Sequence, residues 1–208
     1  MLKPIILLTG PDASGKTTLA NQLRLYLENK GVRAKIVRIR GTHTLAYALM
    51  VLIRDVFGQH GNDLHYYDVR IPEKFREAWL VIEVLSILPL IIIYYYFMRL
   101  KYAIISERSL VDVMVWLISG MNRDLHITLS SKPFRFLSIL VTKYRDKTSY
   151  ITADPYTLIS RKPADKNLIL ETLPYYNALA RCFGLKTINT TCKTIHESLE
   201  TLTKLLGI

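Results

Sequence analysis

Residues Leu8 to Thr18, LTGPDASGKTT, constrain the chain more than any other stretch: Gly10, Gly15, Lys16 and Thr17 stand at the offsets of the phosphate-binding pattern G-x-x-x-x-G-K-[ST]. The flanking sequence supplies the setting that this pattern needs. Pro4 to Leu8 reads as a short buried strand, and Thr17 to Lys30 carries Leu19, Leu23 and Leu27 at helical spacing, with Gly31 suited to the helix end. In a strand–loop–helix turn, the main-chain N–H groups of Gly10 and of Asp12, Ala13, Ser14, Gly15, Lys16, Thr17 and Thr18 gather with the helix N-terminus around one concave spot. Such a spot favours phosphate oxygens. Lys16 would reach the β- and γ-phosphates of a bound nucleotide, and the Thr17 hydroxyl would hold Mg²⁺.

The rest of the chain alternates strands with helical segments. Further strands are expected at Ala34–Ile39, Tyr102–Ser106, Ser149–Ala153 and Lys186–Asn189. Helices are expected at Leu45–Phe57, at Glu73–Met98 with a bend or break at Pro89, and at Leu110–Ser119, Phe134–Tyr144 and Thr194–Leu206. Gly58–Pro72 and Met121–Lys132 read as loops. This order implies an α/β fold: a five-stranded parallel sheet between two layers of helices, with ligands bound beyond the carboxyl ends of the strands. The 208 residues suit one such domain, and no repeat or linker interrupts them.

The net charge of +11 invites a nucleic-acid partner, but the basic residues are scattered, no nucleic-acid motif accompanies them, and a nucleotide pocket also draws positive charge. Cys182 and Cys192 have neither metal-ligand nor disulfide spacing, and no signal peptide is apparent, so a reducing cytoplasm is expected. Val84 to Met98 is uncharged and apolar. As a helix it spans about 22 Å, short of the roughly 30 Å of a bilayer's hydrocarbon, so it reads as a core helix that needs cover on every side. A homodimer contact would supply that cover, and neither a nucleic-acid nor a membrane partner is expected.

Three loops follow strands and can carry chemistry: Thr9–Thr17, Arg38–Thr44 and Glu107–Asp112. Glu107 and Arg108 put a carboxylate and a guanidinium at the end of a central strand, where they could serve a metal's water shell and an acceptor phosphate, or form a structural ion pair. Arg40 and Asp112 are further candidate acceptor contacts. Arg161 and Lys162, in SRKPADK, could fold over a nucleotide as a lid. His43, His60, His65, His126 and His196 show no ligand spacing.

These motifs together resemble the thymidylate kinase family, along nearly the full chain. TGPDASGKTT is similar to the family's E-G-x-D-G-x-G-K-[ST]-T, with Asp12 on its aspartate, Ala13 in place of its glycine and Thr9 in place of its glutamate. RGTHT is similar to the end of R-E-P-G-G-T. ISERSLVDVMVW stands where the family has D-R-[YH] and its helix, which places Glu107 on the aspartate, Arg108 on the arginine and Trp116 on an aromatic beside the nucleoside. SYITADPYTLISRKPADK is similar to the family's strand, D-P-x, helix and lid, and Tyr175 and Tyr176 fall in the helix that follows. The resemblance implies one P-loop kinase domain over residues 1–208 with a lid at about 160–167. It also implies a homodimer and Mg²⁺-dependent transfer of the ATP γ-phosphate to a deoxynucleoside monophosphate, dTMP first among them. With no arginine inside the phosphate loop, Arg161 and Lys162 would bring positive charge to the transferred group. The family's acceptor-phosphate arginine, upstream of the third strand, has no counterpart in IEVLSILPL, and its glutamine after the aromatic is Leu117. Two other readings stay open: a deoxynucleoside kinase, because ERS at Glu107–Ser109 looks like that family's motif, and a nucleotide-binding dimeric scaffold without catalysis.

Overall fold

The structure is a computed structural model that describes residues 2–39, 45–58, 75–120 and 125–208. Five parallel strands, β1 (Ile5–Thr9), β2 (Ala34–Val37), β3 (Ala103–Ser106), β4 (Thr148–Thr152) and β5 (Lys186–Asn189), form one sheet in the order β2-β3-β1-β4-β5. Side chains alternate across it with the two-residue period of a strand. Ile6 and Leu8 of β1 join Ile105, Ile151 and Ile188 beneath α1 (Lys16–Asn29) and α9 (Ile195–Leu206). Ile5 and Leu7 face the other way, with Ile104 and Tyr150, into the larger core formed with α2 (Leu45–Phe57), α3 (Arg76–Ile92), α4 (Leu110–Gly120), α6 (Lys132–Tyr144) and α8 (Lys166–Cys182). A parallel sheet buried on both faces is the three-layer α/β arrangement that the alternating pattern implies. The chain leaves β1 toward β2 and leaves β3 toward β4, on the far side of β1. The loops after these adjacent strands therefore diverge at the switch point where open α/β sheets bind ligands.

Two elements differ from the sequence expectation. Within the stretch expected as loop, Met121–Lys132, a helix α5 (Leu125–Ser130) packs against α4 and α6. Six residues make fewer than two turns, too few for a 3.6-residue period to register in the sequence. Its neighbour α6 starts at Lys132, where Ser131 caps it by accepting from the Phe134 N–H at 3.3 Å and Pro133 occupies the first turn. The second difference is at Pro89, which lies inside α3 without ending it. The helix widens to a π-helical turn at Ile93–Phe97 and tightens to a 3₁₀ turn at Met98–Leu100. Helical backbone thus runs from Glu77 to Leu100, long and apolar enough by length and composition to cross a membrane, unlike Val84–Met98 alone. One side packs in the core through Trp79, Leu80, Val84, Ile87, Ile91 and Tyr95, while Val81, Leu85, Ile92, Phe97 and Leu100 stay exposed.

α3 also buries a carboxyl. Glu83 is 1% exposed; Trp79 Nε1 donates to its Oε1 at 3.2 Å, and its Oε2 has no partner. Burial pushes the Glu83 carboxyl up to about 7. Between pH about 4.5 and 7 the unfolded chain releases this proton while the folded chain keeps it, so stability falls as pH rises through that window, by on the order of 3 kcal/mol. Glu83→Gln retains the bond from Trp79 and removes the ionisable group. It should unfold at higher urea than the wild type near pH 8 and at nearly the same urea near pH 4.5.

Candidate active site

The loop between β1 and α1 turns on two glycines. Gly10, at φ 144°, lies so close to β4 that a Cβ there would stand 1.9 Å from the Ile151 carbonyl oxygen. Gly15, at φ 91°, precedes the first residue of α1 and provides no side-chain cap, and no acidic residue occupies the first turn. The amides at this helix N-terminus are therefore left for an external anion. Ala13 takes φ 65°, a left-handed conformation at the position where the thymidylate kinase pattern has glycine. Lys16 folds back under the loop: its Nζ donates to the carbonyls of Gly10 (2.7 Å) and Pro11 (2.6 Å) and to Ser14 Oγ (3.4 Å). Burial, opposed by Asp112 and reinforced by Arg108, lowers the Lys16 ammonium to about 8.

Beyond this loop lies a cavity of about 520 Å³, bordered by residues Asp12 to Thr18 and by Arg38, Glu107, Arg108, Arg161, Lys162 and Thr190. Its floor is set by Glu107, one residue past β3. Thr17 Oγ1 donates to Glu107 Oε2 at 3.1 Å, and Arg38, the residue after β2, is ion-paired with the same oxygen. Both contacts fall on Oε2, so Oε1 carries neither. Among the described residues no group of three or more His, Cys, Asp or Glu side chains could cage a metal ion. A hydroxyl beside one carboxylate still fits Mg²⁺, which keeps most of its waters and takes its remaining ligands from phosphates.

Asp12 and Arg108 form the wall of the cavity. Arg108 Nη2 donates to Asp12 Oδ1 at 2.9 Å, and Lys162 Nζ stands 3.9 Å from Asp12 Oδ2 while also pairing with Asp165. Burial alone would raise the Asp12 carboxyl, but Arg108, Lys16 and Lys162 together hold it below the usual carboxylate value. Arg161 ends α7 (Pro155–Arg161), which is capped by Asp154 accepting from the Thr157 N–H at 3.0 Å. The Arg161 guanidinium is fixed over the loop, donating to Thr190 Oγ1 (3.0 Å), to the Thr190 carbonyl (2.9 Å) and to the Ala13 carbonyl (3.4 Å). Thr190 in turn donates to the Ser14 carbonyl at 3.2 Å, which ties the turn after β5 to the phosphate loop.

Asp12 and Arg108 also border a second, smaller cavity of about 40 Å³, closed by Asp112, Val115 and Trp116 of α4 and by Leu168, Thr172 and Tyr176 of α8. Asp112 is tied on both oxygens: the Ser109 N–H donates to Oδ2 at 2.7 Å, and the Tyr176 hydroxyl donates to Oδ1 at 3.0 Å. The first bond, together with Val111 N–H donating to Ser109 Oγ at 3.1 Å, is a reciprocal cap on α4. Tyr176 stacks on Tyr150 of β4 with ring centroids 6.4 Å apart.

The structure therefore gathers Asp12, Ala13, Ser14, Gly15, Lys16, Thr17, Thr18, Glu107, Arg108, Arg161 and Lys162 around one cavity, and Asp112 and Trp116 around the adjoining one. Arg40, Gly41, Thr42, His43, His60 and His65 lie outside the described residues, as do the side chains of Arg76 and His126. His196 is exposed on α9. Arg38, Thr190 and Tyr176 are the contributors that motif reading leaves without a role. In the sequence Arg38 stands out only as the start of a loop, and nothing distinguishes Thr190.

No protein-family model and no curated protein matches the sequence. Among solved structures, thymidylate kinase from Candida albicans superposes with a TM-score of 0.63 at 15% identity, over 99% of this chain and 92% of that one. The likeness establishes a thymidylate kinase-like fold for the whole chain.

Two outcomes follow from the loop geometry. Ala13→Gly relieves a left-handed alanine and should stabilise the chain by about 0.5–1 kcal/mol, read as a higher urea midpoint. Near pH 8, where Lys16 is partly deprotonated, a phosphate-bearing ligand that restores its charge should draw a proton from the buffer. Calorimetric titration of a nucleoside triphosphate in two buffers of different ionisation enthalpy should report that uptake, and Lys16→Ala should remove it.

Proposed function

We propose that the chain is a nucleotide kinase that transfers the γ-phosphate of ATP to a deoxynucleoside monophosphate, with dTMP the favoured acceptor. The carrying observation is that Asp12 and Arg108 are shared by both cavities, so the large chamber behind the Asp12–Thr18 loop and the small one beside Trp116 meet at one ion pair. A donor in the first and an acceptor in the second would meet across that wall, the arrangement that in-line transfer needs. The Candida albicans enzyme of like fold has broad substrate specificity, which agrees with leaving the acceptor base open.

In this reading the amides of residues 12–17 bind the β- and γ-phosphates, and Lys16 turns from the Gly10 and Pro11 carbonyls to the phosphate oxygens. Thr17 and Glu107 would hold Mg²⁺, which neutralises phosphate charge and fixes the donor's orientation. Arg108 orients the acceptor phosphate. An acceptor oxygen attacks the γ-phosphorus, the bond from phosphorus to the β–γ bridging oxygen breaks, and ADP leaves. Arg161 and Lys162, already at the cavity rim, supply positive charge to the transferred group. Arg38 beside Glu107 adds a cation where a nucleoside kinase would want a carboxylate to take a proton from a sugar hydroxyl, which favours an acceptor that already bears phosphate. At about 40 Å³ the acceptor cavity is far below the roughly 300 Å³ at which ligand sites begin, so its walls on α4 and α8 would have to part for an acceptor to enter. We also propose a homodimer joined through Leu45, Leu52 and Val56 of α2 and Val81 and Leu85 of α3, all exposed; a sedimentation mass twice that of the chain would report it.

The decisive experiment is product detection with Mg·ATP against all common nucleoside monophosphates and deoxynucleosides. Turnover on dTMP or another deoxynucleoside monophosphate is expected. Faster turnover on thymidine would make the chain a nucleoside kinase, and nucleotide binding without transfer to any acceptor would make it a scaffold. Lys16→Ala should lower kcat by about 10²–10³, while Arg108→Ala should raise the acceptor KM about ten- to a hundredfold and leave ATP affinity nearly unchanged.

A further inference from the structure

Because all five strands are parallel, their first residues define one edge of the sheet, opposite the cavities. Every strand begins at or just after a basic residue: Lys3 before β1, Arg33 before β2, Lys101 before β3, Lys147 before β4, and Lys186 as the first residue of β5. None of the five is ion-paired with a described carboxylate, and only Glu28 and the Arg145-paired Asp146 stand near them in sequence. Around the cavities Lys16, Arg38, Arg108 and Lys162 face Asp12, Glu107, Asp112 and Asp165, while Arg161 is held by the Thr190 and Ala13 oxygens. The far edge therefore carries a row of five of the chain's 28 lysines and arginines with no carboxylate bonded to them among the described residues. Contacts knit that edge together. Lys3 and Arg99 exchange main-chain and side-chain bonds at 2.8 and 2.7 Å, and the Tyr102 ring lies 5.8 Å from Lys35 Nζ and 5.5 Å from Lys101 Nζ.

The tail of α3 descends to the same edge. Its π-helical turn and the 3₁₀ turn after it leave Ile93 45%, Phe97 64% and Leu100 66% exposed, directly before Lys101. Tyr96 is exposed beside them, and its hydroxyl accepts from Lys143 Nζ at 3.3 Å. An apolar ridge beside cations that have no carboxylate partner among the described residues has two needs, a low-dielectric phase for the ridge and anions for the cations. A nucleic-acid backbone would satisfy only the cations, and a second copy of the same edge would set like charges against each other. An anionic bilayer meets both needs at once.

We propose that this edge docks on the surface of an anionic lipid bilayer, with Phe97 and Leu100 entering the boundary between headgroups and acyl chains and the strand-edge lysines lying over the lipid anions. The helix lies against the membrane and does not span it, because Ile87, Ile91 and Tyr95 of the same helix stay in the core. The nucleotide cavity then opens away from the bilayer, into water. This inference is independent of the proposed reaction.

The test is co-sedimentation of the full chain with sucrose-loaded vesicles of phosphatidylcholine alone or with about one-third phosphatidylserine. Binding to the phosphatidylserine vesicles should exceed binding to the neutral ones at least about tenfold and should weaken as salt is raised. Two variants separate the two needs: Phe97→Ser with Leu100→Ser removes the ridge, and Lys3→Glu with Lys101→Glu reverses exposed edge charges without touching the core. Each should cut vesicle binding at least about fivefold while circular dichroism and the urea midpoint stay as in the wild type. Equal binding to both vesicle types, or none, overturns the proposal. So does duplex DNA binding that matches vesicle binding and survives loss of the ridge, which marks a general polyanion site. Conversion of a dimer to a monomer by the ridge variant, with no vesicle binding by either form, overturns it in favour of a contact between copies.

Discussion

The close approach of Gly10 to the carbonyl of Ile151 sets the geometry on which the rest of the site depends. No side chain fits between them, so the loop after β1 lies flat against β4 and then climbs over Lys16 into α1. That path leaves the first amides of α1 uncapped and brings Thr17 within 3.1 Å of the carboxylate at the end of β3. Two strands and one helix are thereby fixed around a space for phosphate before any side chain chooses a ligand.

Charge in this space is held by exchange between partners. Lys16 and Glu107 are buried and Asp12 is half-buried, a costly state for isolated ions, and each is held by opposite charge or by carbonyl oxygens. Lys16 rests on carbonyls that a phosphate would replace, and Arg108 rests on Asp12. These contacts keep the cations oriented while leaving them weaker partners than a polyphosphate would be. The far edge of the sheet is arranged on the opposite principle. Lys3, Arg33, Lys101 and Lys147 stay exposed there with no carboxylate partner among the described residues, so their field extends into solvent and acts on large anionic surfaces.

α3 runs from the core to this far edge. Its inner side fills the core, its outer side is apolar without cover, and its buried Glu83 makes stability depend on pH. Pro89 removes one backbone donor without ending the helix, because the chain on both sides is pinned by packing through Ile87 and Ile91. The π-helical turn that follows re-aims the last side chains and presents Phe97 and Leu100 outward beside the basic edge.

The sequence by itself determined the strand–loop–helix turn, the parallel order of alternating elements and the residues of the loop between β1 and α1, because these rest on local patterns: glycine spacing, two-residue and 3.6-residue periods, and lysine beside threonine. It also marked Glu107, Arg108 and Arg161 by their places after a strand and within a basic loop. Only the tertiary structure decided that Arg38 shares an oxygen of Glu107 with Thr17, that Thr190 ties Arg161 to the phosphate loop, and that Asp112 serves Tyr176 and its own helix cap. It alone revealed α5, whose six residues are too few to carry a period, and it alone divided α3 into a buried and an exposed side. Each of these depends on residues tens of positions apart meeting in space, and periodicity along one segment carries no record of what packs across from it.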